Sequence, residues 1–80
     1  MTTDELIRII EASFPPYRCK AELDKHSYGT RIGFRVYDSE NKEIMAREHY
    51  QVAMINSEES LAAIITNTKQ EIRRKGYIVA

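Results

Sequence analysis

The chain has 80 residues, of which 42% are hydrophobic and 30% charged, and its twelve basic residues are balanced by twelve acidic ones. This length and composition predict one small globular domain over residues 1–80 and argue against a disordered chain. The zero net charge gives the chain no overall attraction to nucleic acid or to an anionic membrane, and it excludes an acidic mimic of DNA.

Cysteine usage and hydropathy favour a cytoplasmic location. Cys19 is the only cysteine, so no intrachain disulfide can form and a reducing compartment is expected. The N-terminal residues MTTDELIR are acidic and amphipathic, unlike a secretory signal peptide. No apolar run approaches the ~20 residues of a membrane-spanning helix, so no membrane partner is expected.

The first predicted element is an amphipathic helix from about Asp4 to Ser13. Thr2 and Glu5 have the spacing of a capping box at its start. Pro15 and Pro16 end it, because a proline disfavours helical geometry in the residue before it.

Three strands of alternating polarity follow, from Tyr17 to Asp24, from Arg31 to Tyr37 and from Glu43 to Val52. The polar segment 38–42 predicts a turn that joins the last two strands in a β-hairpin. The apolar positions of the strands are expected to face the core, and they are Tyr17, Cys19, Ala21, Leu23, Ile32, Phe34, Val36, Ile44, Ala46, Tyr50 and Val52.

A second helix is predicted after the strands. Either Asn56, three residues before Glu59, or Ser57 caps its start. Gly76 is a natural residue to end it, and the apolar tail 77–80 is expected to lie against the core. The order α-β-β-β-α predicts an α+β fold, in which a three-stranded antiparallel sheet has both helices packed on one face.

The other face of the sheet is then open, and the loop lengths set its cross-strand register. Four rows are expected on this face: Asp24–Arg31–His49, Glu22–Gly33–Arg47, Lys20–Arg35–Met45 and Arg18–Tyr37–Glu43. The first two rows balance their charges, and Glu22 and Arg47 are expected to meet across Gly33, which has no side chain.

The last two rows form a basic corner with one aromatic and one flexible apolar residue, a composition that is enriched at protein interfaces. The alternative is a solvated sheet face with no partner. The candidate partner-binding residues are Arg18, Lys20, Arg35, Tyr37, Met45 and Arg47.

The sequence predicts no catalytic or metal-binding site. Cys19 faces the core, whereas His26 lies in a loop and His49 faces outward, so a Cys–His pair is not predicted. One cysteine and two distant histidines supply no metal site, and the three glycines form no phosphate-binding loop. The sequence therefore predicts a protein that is not an enzyme and has no cofactor.

Glu48 is the exception to the strand pattern, because it falls in phase with the inward residues. A carboxylate aimed at an apolar layer would have a raised pKa and could serve as an acid. The alternatives are a β-bulge that turns Glu48 outward, or an ion pair with a basic neighbour.

Nucleic-acid binding is an alternative, because domains that bind double-stranded RNA share the α-β-β-β-α order. Those domains carry a lysine cluster at the start of the second helix, whereas this chain has NSEESLAA there, with two glutamates that would repel phosphate.

The segments FPPYR, RVYDSENKEIMAR and NSEESLAAIITNTKQEIRRKG resemble short bacterial αβββα proteins that form a domain-of-unknown-function family. That family has a helix ending in F-x-x-Y, a hairpin with a D-x-x-(G/N)-x turn, an arginine in the third strand and a last helix ending in I-R. The resemblance implies the fold and no activity. In size and style the chain is also similar to small phage-encoded inhibitors of bacterial machinery, including anti-CRISPR proteins.

The leading functional prediction is non-catalytic binding to another protein, as an inhibitor or regulator. The alternatives are a nucleic-acid-binding module and a homodimeric structural protein, which would associate through the open face or an edge strand.

Overall fold

Six elements follow one another in a computed structural model that describes residues 1–80. They are α1 (Thr3–Glu11), β1 (Arg18–His26), β2 (Gly29–Tyr37), β3 (Glu43–Gln51), α2 (Val52–Ile55) and α3 (Glu58–Arg74). The predicted α+β order is confirmed, with α2 as an additional helix of four residues. The third strand ends one residue earlier than expected, because Val52 begins α2.

The sheet is antiparallel with the strand order β1-β2-β3, and one apolar cluster joins its inner face to the helices. Leu6 and Ile10 of α1 and Leu61 and Ile72 of α3 are buried in this cluster. The buried strand residues are Cys19, Ala21, Ile32, Phe34, Val36, Ile44 and Met45. Burial of this apolar layer supplies the main stabilisation of the fold.

Side-chain caps fix the beginnings of both long helices. Thr2 and Glu5 form the predicted capping box, in which each side chain accepts a 3.1 Å hydrogen bond from the other's backbone N–H. At α3 the cap is Ser57, whose Oγ accepts from Ser60 N–H at 3.1 Å. The alternative cap, Asn56, is instead the C-cap residue of α2.

The C-terminal tail lies against the core, as predicted. Gly76 has φ +95° and follows the end of α3. Val79 is 5% exposed, and its carbonyl oxygen accepts a 3.1 Å hydrogen bond from Arg73 Nη2. The backbone N–H of Ala80 donates to Pro15 O at 3.0 Å, which ties the chain end to the segment after α1.

The β1–β2 connection is tighter than the predicted loop. His26 lies opposite Gly29, so only Ser27 and Tyr28 form the turn. Gly29 has φ +129°, a conformation that glycine adopts without steric cost. The short turn fixes the register of the two strands, since hairpin register follows from loop length.

Strand β3 leaves the regular register with β2 at two β-bulges. Tyr37 lies opposite Glu43 and Val36 opposite Met45, so Ile44 is an extra residue on β3. The Ile44 carbonyl accepts a 3.0 Å hydrogen bond from Lys75 Nζ at the end of α3. This bond holds the first bulge against the helix layer.

The second bulge lies between the Phe34–Arg47 and Ile32–Tyr50 pairs, where two residues of β3 lie opposite Gly33 alone. One of these two, His49, has φ +70°, in the left-handed region. A single residue in this conformation is a recurrent way to accommodate an extra residue in a strand.

Candidate functional site

The sheet face opposite the helices is the candidate site, and its β1–β2 half has the predicted arrangement. The confirmed pairs are Arg18–Tyr37, Lys20–Arg35, Glu22–Gly33 and Asp24–Arg31. The alternation of polar and apolar residues along both strands places these side chains on the uncovered face.

The β3 half differs from the prediction, because the first bulge reverses which residues face outward. Met45, predicted on the open face, is only 6% exposed and belongs to the core. Ala46, predicted in the core, is exposed and lies opposite Arg35. A one-residue shift moves every following side chain to the other face of a strand, and that shift is the cause of both errors.

Arg47 was also predicted on the open face, and this placement is wrong for the same reason. It lies opposite the buried Phe34, and its Nε donates to Thr68 Oγ1 of α3 at 3.4 Å. The expected approach of Glu22 and Arg47 across Gly33 therefore does not occur. Met45 and Arg47 drop out of the candidate surface.

Glu48 is turned onto the open face by the first bulge, and it bonds Arg35 there. The Glu43 carboxylate bonds the same guanidinium, at 3.2 Å from Nη1. The hydrogen bond that Arg35 donates to Glu48, with the Coulombic attraction of Glu43 and Glu48, raises the pKa of Arg35 above its usual value. Both alternatives for Glu48, the bulge and the ion pair, are thus confirmed, and Arg35 is largely neutralised within the chain.

Arg18 is held in place at the corner of the face. Its guanidinium carbon lies 4.6 Å from the centre of the Tyr37 ring, a cation–π contact, and its Nη2 donates to Asn41 Oδ1. Asn41 has φ +65° in the β2–β3 turn. Asp38 Oδ1 accepts 2.9 Å hydrogen bonds from the backbone N–H groups of Glu40 and Lys42 in the same turn, which fixes its shape.

Lys20 is an exposed cation of this surface with only a weak ion pair. Its Nζ lies 3.9 Å from the Glu22 carboxylate, and the two side chains are 61% and 76% exposed. An ion pair at this distance and exposure contributes little to stability. Neither Lys20 nor Arg18 therefore has a strong carboxylate partner within the chain.

A shallow depression of about 390 Å³ lies at the middle of the open face. Gly33 forms part of its floor, because this position has no side chain to fill it. The second bulge passes close to Gly33, and a Cβ atom placed there would lie 3.1 Å from Arg47 O. The acidic and basic side chains around the depression are Lys20, Glu22, Asp24, Arg31, Arg35 and Glu48, and the imidazole of His49 lies beside them.

The nucleophile and base candidates are not brought together. Cys19 is 7% exposed, and burial, followed by the charge of Glu11, raises the pKa of its thiol to about 12. His26 Nε2 lies 2.8 Å from Asp24, whereas His49 Nε2 lies 3.6 Å from Glu48. Neither histidine is bonded to Cys19, and no three His, Cys, Asp or Glu side chains are grouped so that they could hold a metal ion.

Asn41 and Glu48 belong to this surface, although the candidate residues derived from the sequence include neither. A sequence signal existed for each, since Asn in a turn tolerates the left-handed conformation and Glu48 broke the alternation of its strand.

Comparison with protein-family models, curated proteins and solved structures gives no match to this chain. None of its helices combines the length and the apolar character of a membrane span.

Proposed function

We propose that this protein acts by docking, without catalysis, on an acidic surface of another protein through the open-face corner of Arg18, Lys20, Arg35 and Tyr37. The observation that carries the proposal is which of the three cations in this corner already have carboxylate partners within the chain. Arg35 is compensated by Glu43 and Glu48, whereas Arg18 and Lys20 are exposed cations with no strong carboxylate partner.

Preorganisation of the corner supports a binding role. Arg18 is held by the Tyr37 ring and by Asn41, so less side-chain entropy is lost when it binds. A guanidinium has five N–H donors in a fixed fork, which suits bidentate binding of a carboxylate. Arginine and tyrosine are also the residue types most often found at the energetic centres of protein interfaces.

The geometry gives less support to the other functional classes. A thiol with a pKa near 12 is protonated at neutral pH and is a poor nucleophile. Glu58 and Glu59 occupy the first turn of α3, where RNA-binding domains of the same order carry lysines. One side of the Tyr37 ring is already covered by Arg18, which hinders the stacking of a base there.

A domain of this size acts most simply by occluding part of its partner, so we propose an inhibitory or regulatory role like that of small phage-encoded inhibitors. Cytoplasmic location is part of the proposal, because Cys19 is a free buried thiol.

The test compares two double variants that change the net charge equally. Arg18→Glu with Lys20→Glu alters the corner, whereas Arg8→Glu with Lys69→Glu alters the helices. The partner is isolated from native extract with the tagged wild-type chain, and its Kd for each variant is measured by calorimetry. We expect at least a ~10-fold weaker Kd for the corner variant only, since hot-spot losses exceed ~1.4 kcal/mol.

Equal Kd values for the corner variant and the wild type would overturn the proposal. Titration with duplex RNA and DNA at low salt is the second arm of the experiment. Binding that weakens steeply with salt and is lost in the corner variant would favour the nucleic-acid alternative instead.

A further inference from the structure

Strand β1 is an edge of the sheet, and half of its backbone groups are directed away from β2. The two-residue turn makes His26–Gly29 the hydrogen-bonded closing pair of the hairpin. Hydrogen-bonded and non-hydrogen-bonded pairs alternate in an antiparallel ladder, so the even-numbered residues of β1 bond to β2. The N–H and C=O groups of Cys19, Ala21 and Leu23 therefore point outward from the sheet.

Glu11 occupies the middle of this edge. Its Oε2 accepts a 2.9 Å hydrogen bond from Ala21 N–H, in agreement with the outward direction of that group. Glu11 is the last residue of α1 and its side chain reaches the strand from the helix layer. A charged side chain on an edge strand is a common device against pairing with another strand.

The open-face residues of β1 have an unusual order of charge. Arg18 and Lys20 are basic, and Glu22 and Asp24 are acidic, at successive outward positions of the strand. Along β1 the order is two cations followed by two anions, and along an antiparallel copy it is two anions followed by two cations. A second copy of β1 in antiparallel orientation would therefore present an opposite charge to each of these residues.

We propose that the free edge of β1 can pair with β1 of a second copy of this chain. The Glu11 side chain prevents this pairing as long as it bonds Ala21 N–H, and the pairing forms once Glu11 is displaced. In the pairing, Ala21 lies opposite Ala21 of the second copy on a two-fold axis, and Cys19 lies opposite Leu23. These are the residues whose N–H and C=O groups point outward, so they exchange the backbone hydrogen bonds. The two sheets become one of six strands.

The charges select this register over its neighbours. Centred on Ala21, the pairing places Lys20 opposite Glu22 and Arg18 opposite Asp24 on both sides of the axis. Because only the odd-numbered residues of β1 have outward backbone groups, the second strand can slide only in steps of two residues. A step in one direction places Lys20 opposite Lys20 of the second copy. A step in the other direction places Glu22 opposite Glu22. Like charges directly opposite each other destabilise a strand pair.

The other edge of the sheet is less suited to pairing. Strand β3 has two bulges, and Lys75 Nζ bonds the Ile44 carbonyl. Bulges disrupt the regular spacing of edge groups that a new strand needs. Strand β1 has no bulge over its nine paired residues, so Glu11 is its principal protection. This inference rests on the geometry of the edge and not on the proposed docking function, although Arg18 and Lys20 take part in both.

Analytical ultracentrifugation of Glu11 variants tests the proposal. Glu11→Gln is the matched control, because its amide oxygen still accepts from Ala21 N–H. Glu11→Ala and Glu11→Met remove the acceptor, and Met keeps the length of the side chain. We expect the wild type and Glu11→Gln to sediment as monomers at about 100 µM, and both acceptor-free variants to sediment with twice the chain mass.

Charge reversal then tests the register in the Glu11→Met background. Lys20→Glu places two glutamates opposite each other and should restore the monomer, and adding Glu22→Lys should restore the dimer. Circular dichroism confirms that each variant is folded. Monomeric behaviour of both folded acceptor-free variants overturns the proposal, as does a dimer that Lys20→Glu leaves unchanged. If one acceptor-free variant does not fold, the other gives the same readout.

Discussion

The Glu48 carboxylate bonds the Arg35 guanidinium on the open face, although the residue directly opposite Arg35 is Ala46. The contact exists because an extra residue at Ile44 shifts the phase of β3 and turns Glu48 away from the core. The bulge explains why Glu48 lies on the open face, although the alternation of the strand alone would place its carboxylate among the apolar side chains of the core. The contact also means that Arg35 has a structural role on the surface proposed for docking.

Reversal of the charge at Arg35 should destabilise the fold. Arg35→Glu places a third carboxylate beside Glu43 and Glu48, so we expect a lower urea midpoint at neutral pH. Glu48→Arg in the same chain restores an ion pair of opposite orientation and should recover part of the loss. Urea unfolding of the two single variants and the double variant measures the coupling between the sites. Strictly additive changes in the midpoint would contradict the pairing of Arg35 with Glu48.

The left-handed backbone at His49 gives a second prediction. At φ +70° a side chain with a Cβ branch is strained, so His49→Val should lower the unfolding free energy by about 1–2 kcal/mol. His49→Gly removes the steric cost and should leave stability unchanged or raise it by up to about 1 kcal/mol. Thermal and urea unfolding provide the measurement. A glycine variant less stable than the valine variant would contradict the bulge geometry.

A methyl group at Gly33 should force the second bulge to shift. A Cβ at this position would lie 3.1 Å from Arg47 O and 3.4 Å from Glu48 Cα, both backbone atoms of the second bulge. We expect Gly33→Ala to lower the unfolding free energy by about 1–3 kcal/mol, the usual range for forced overpacking. In the NMR spectrum, the largest amide shifts should occur at residues 47–49. Unchanged stability with shifts confined to residues 32–34 would place the bulge elsewhere.

The buried thiol of Cys19 should be unreactive and should make stability pH-dependent. Folding raises its pKa from the usual 9.0 to about 12, so the unfolded chain loses this proton first as the pH rises. The contribution to stability is therefore complete below pH 9 and is lost between about pH 9 and 12. We expect a thiol reagent at pH 8 to modify the folded chain far more slowly than the chain in urea.

Cys19→Ala is the control for the pH dependence, because every other ionisable group is the same in the two proteins. The wild type should lose more stability than Cys19→Ala between pH 9 and pH 11. Parallel pH profiles, or rapid modification of the folded chain, would show that Cys19 is not buried as described.

Alternation was sufficient to predict the register of β1 and β2, although the two-residue turn between them was predicted as a longer loop. Both strands keep a strict period of two, and the tight turn at Ser27–Tyr28 fixes their register. The capping box at Thr2 and Glu5 was equally readable. Helix α2 was not, because four residues are too few to show helical periodicity.

The β3 half was predicted incorrectly because a bulge leaves no fixed mark on a sequence. Two irregularities were present: Ile44 and Met45 are adjacent apolar residues, and Glu48 falls on the apolar phase. Either could be read as a local exception, and only together do they indicate a shift of one residue. The candidate surface lost Met45 and Arg47 for this reason, while Arg18, Lys20, Arg35 and Tyr37 kept their predicted places.

Site-specific photo-crosslinking tests the docking proposal most directly. A benzophenone amino acid replaces Tyr37 on the open face in one variant and Ile9, which is 41% exposed on α1, in a control. Irradiation in native extract should give a discrete crosslinked protein from position 37 and none from position 9. The product should disappear when Arg18 and Lys20 are both changed to Glu. A product from position 9 alone, or one from position 37 that persists without the two cations, would contradict docking through this corner of the sheet.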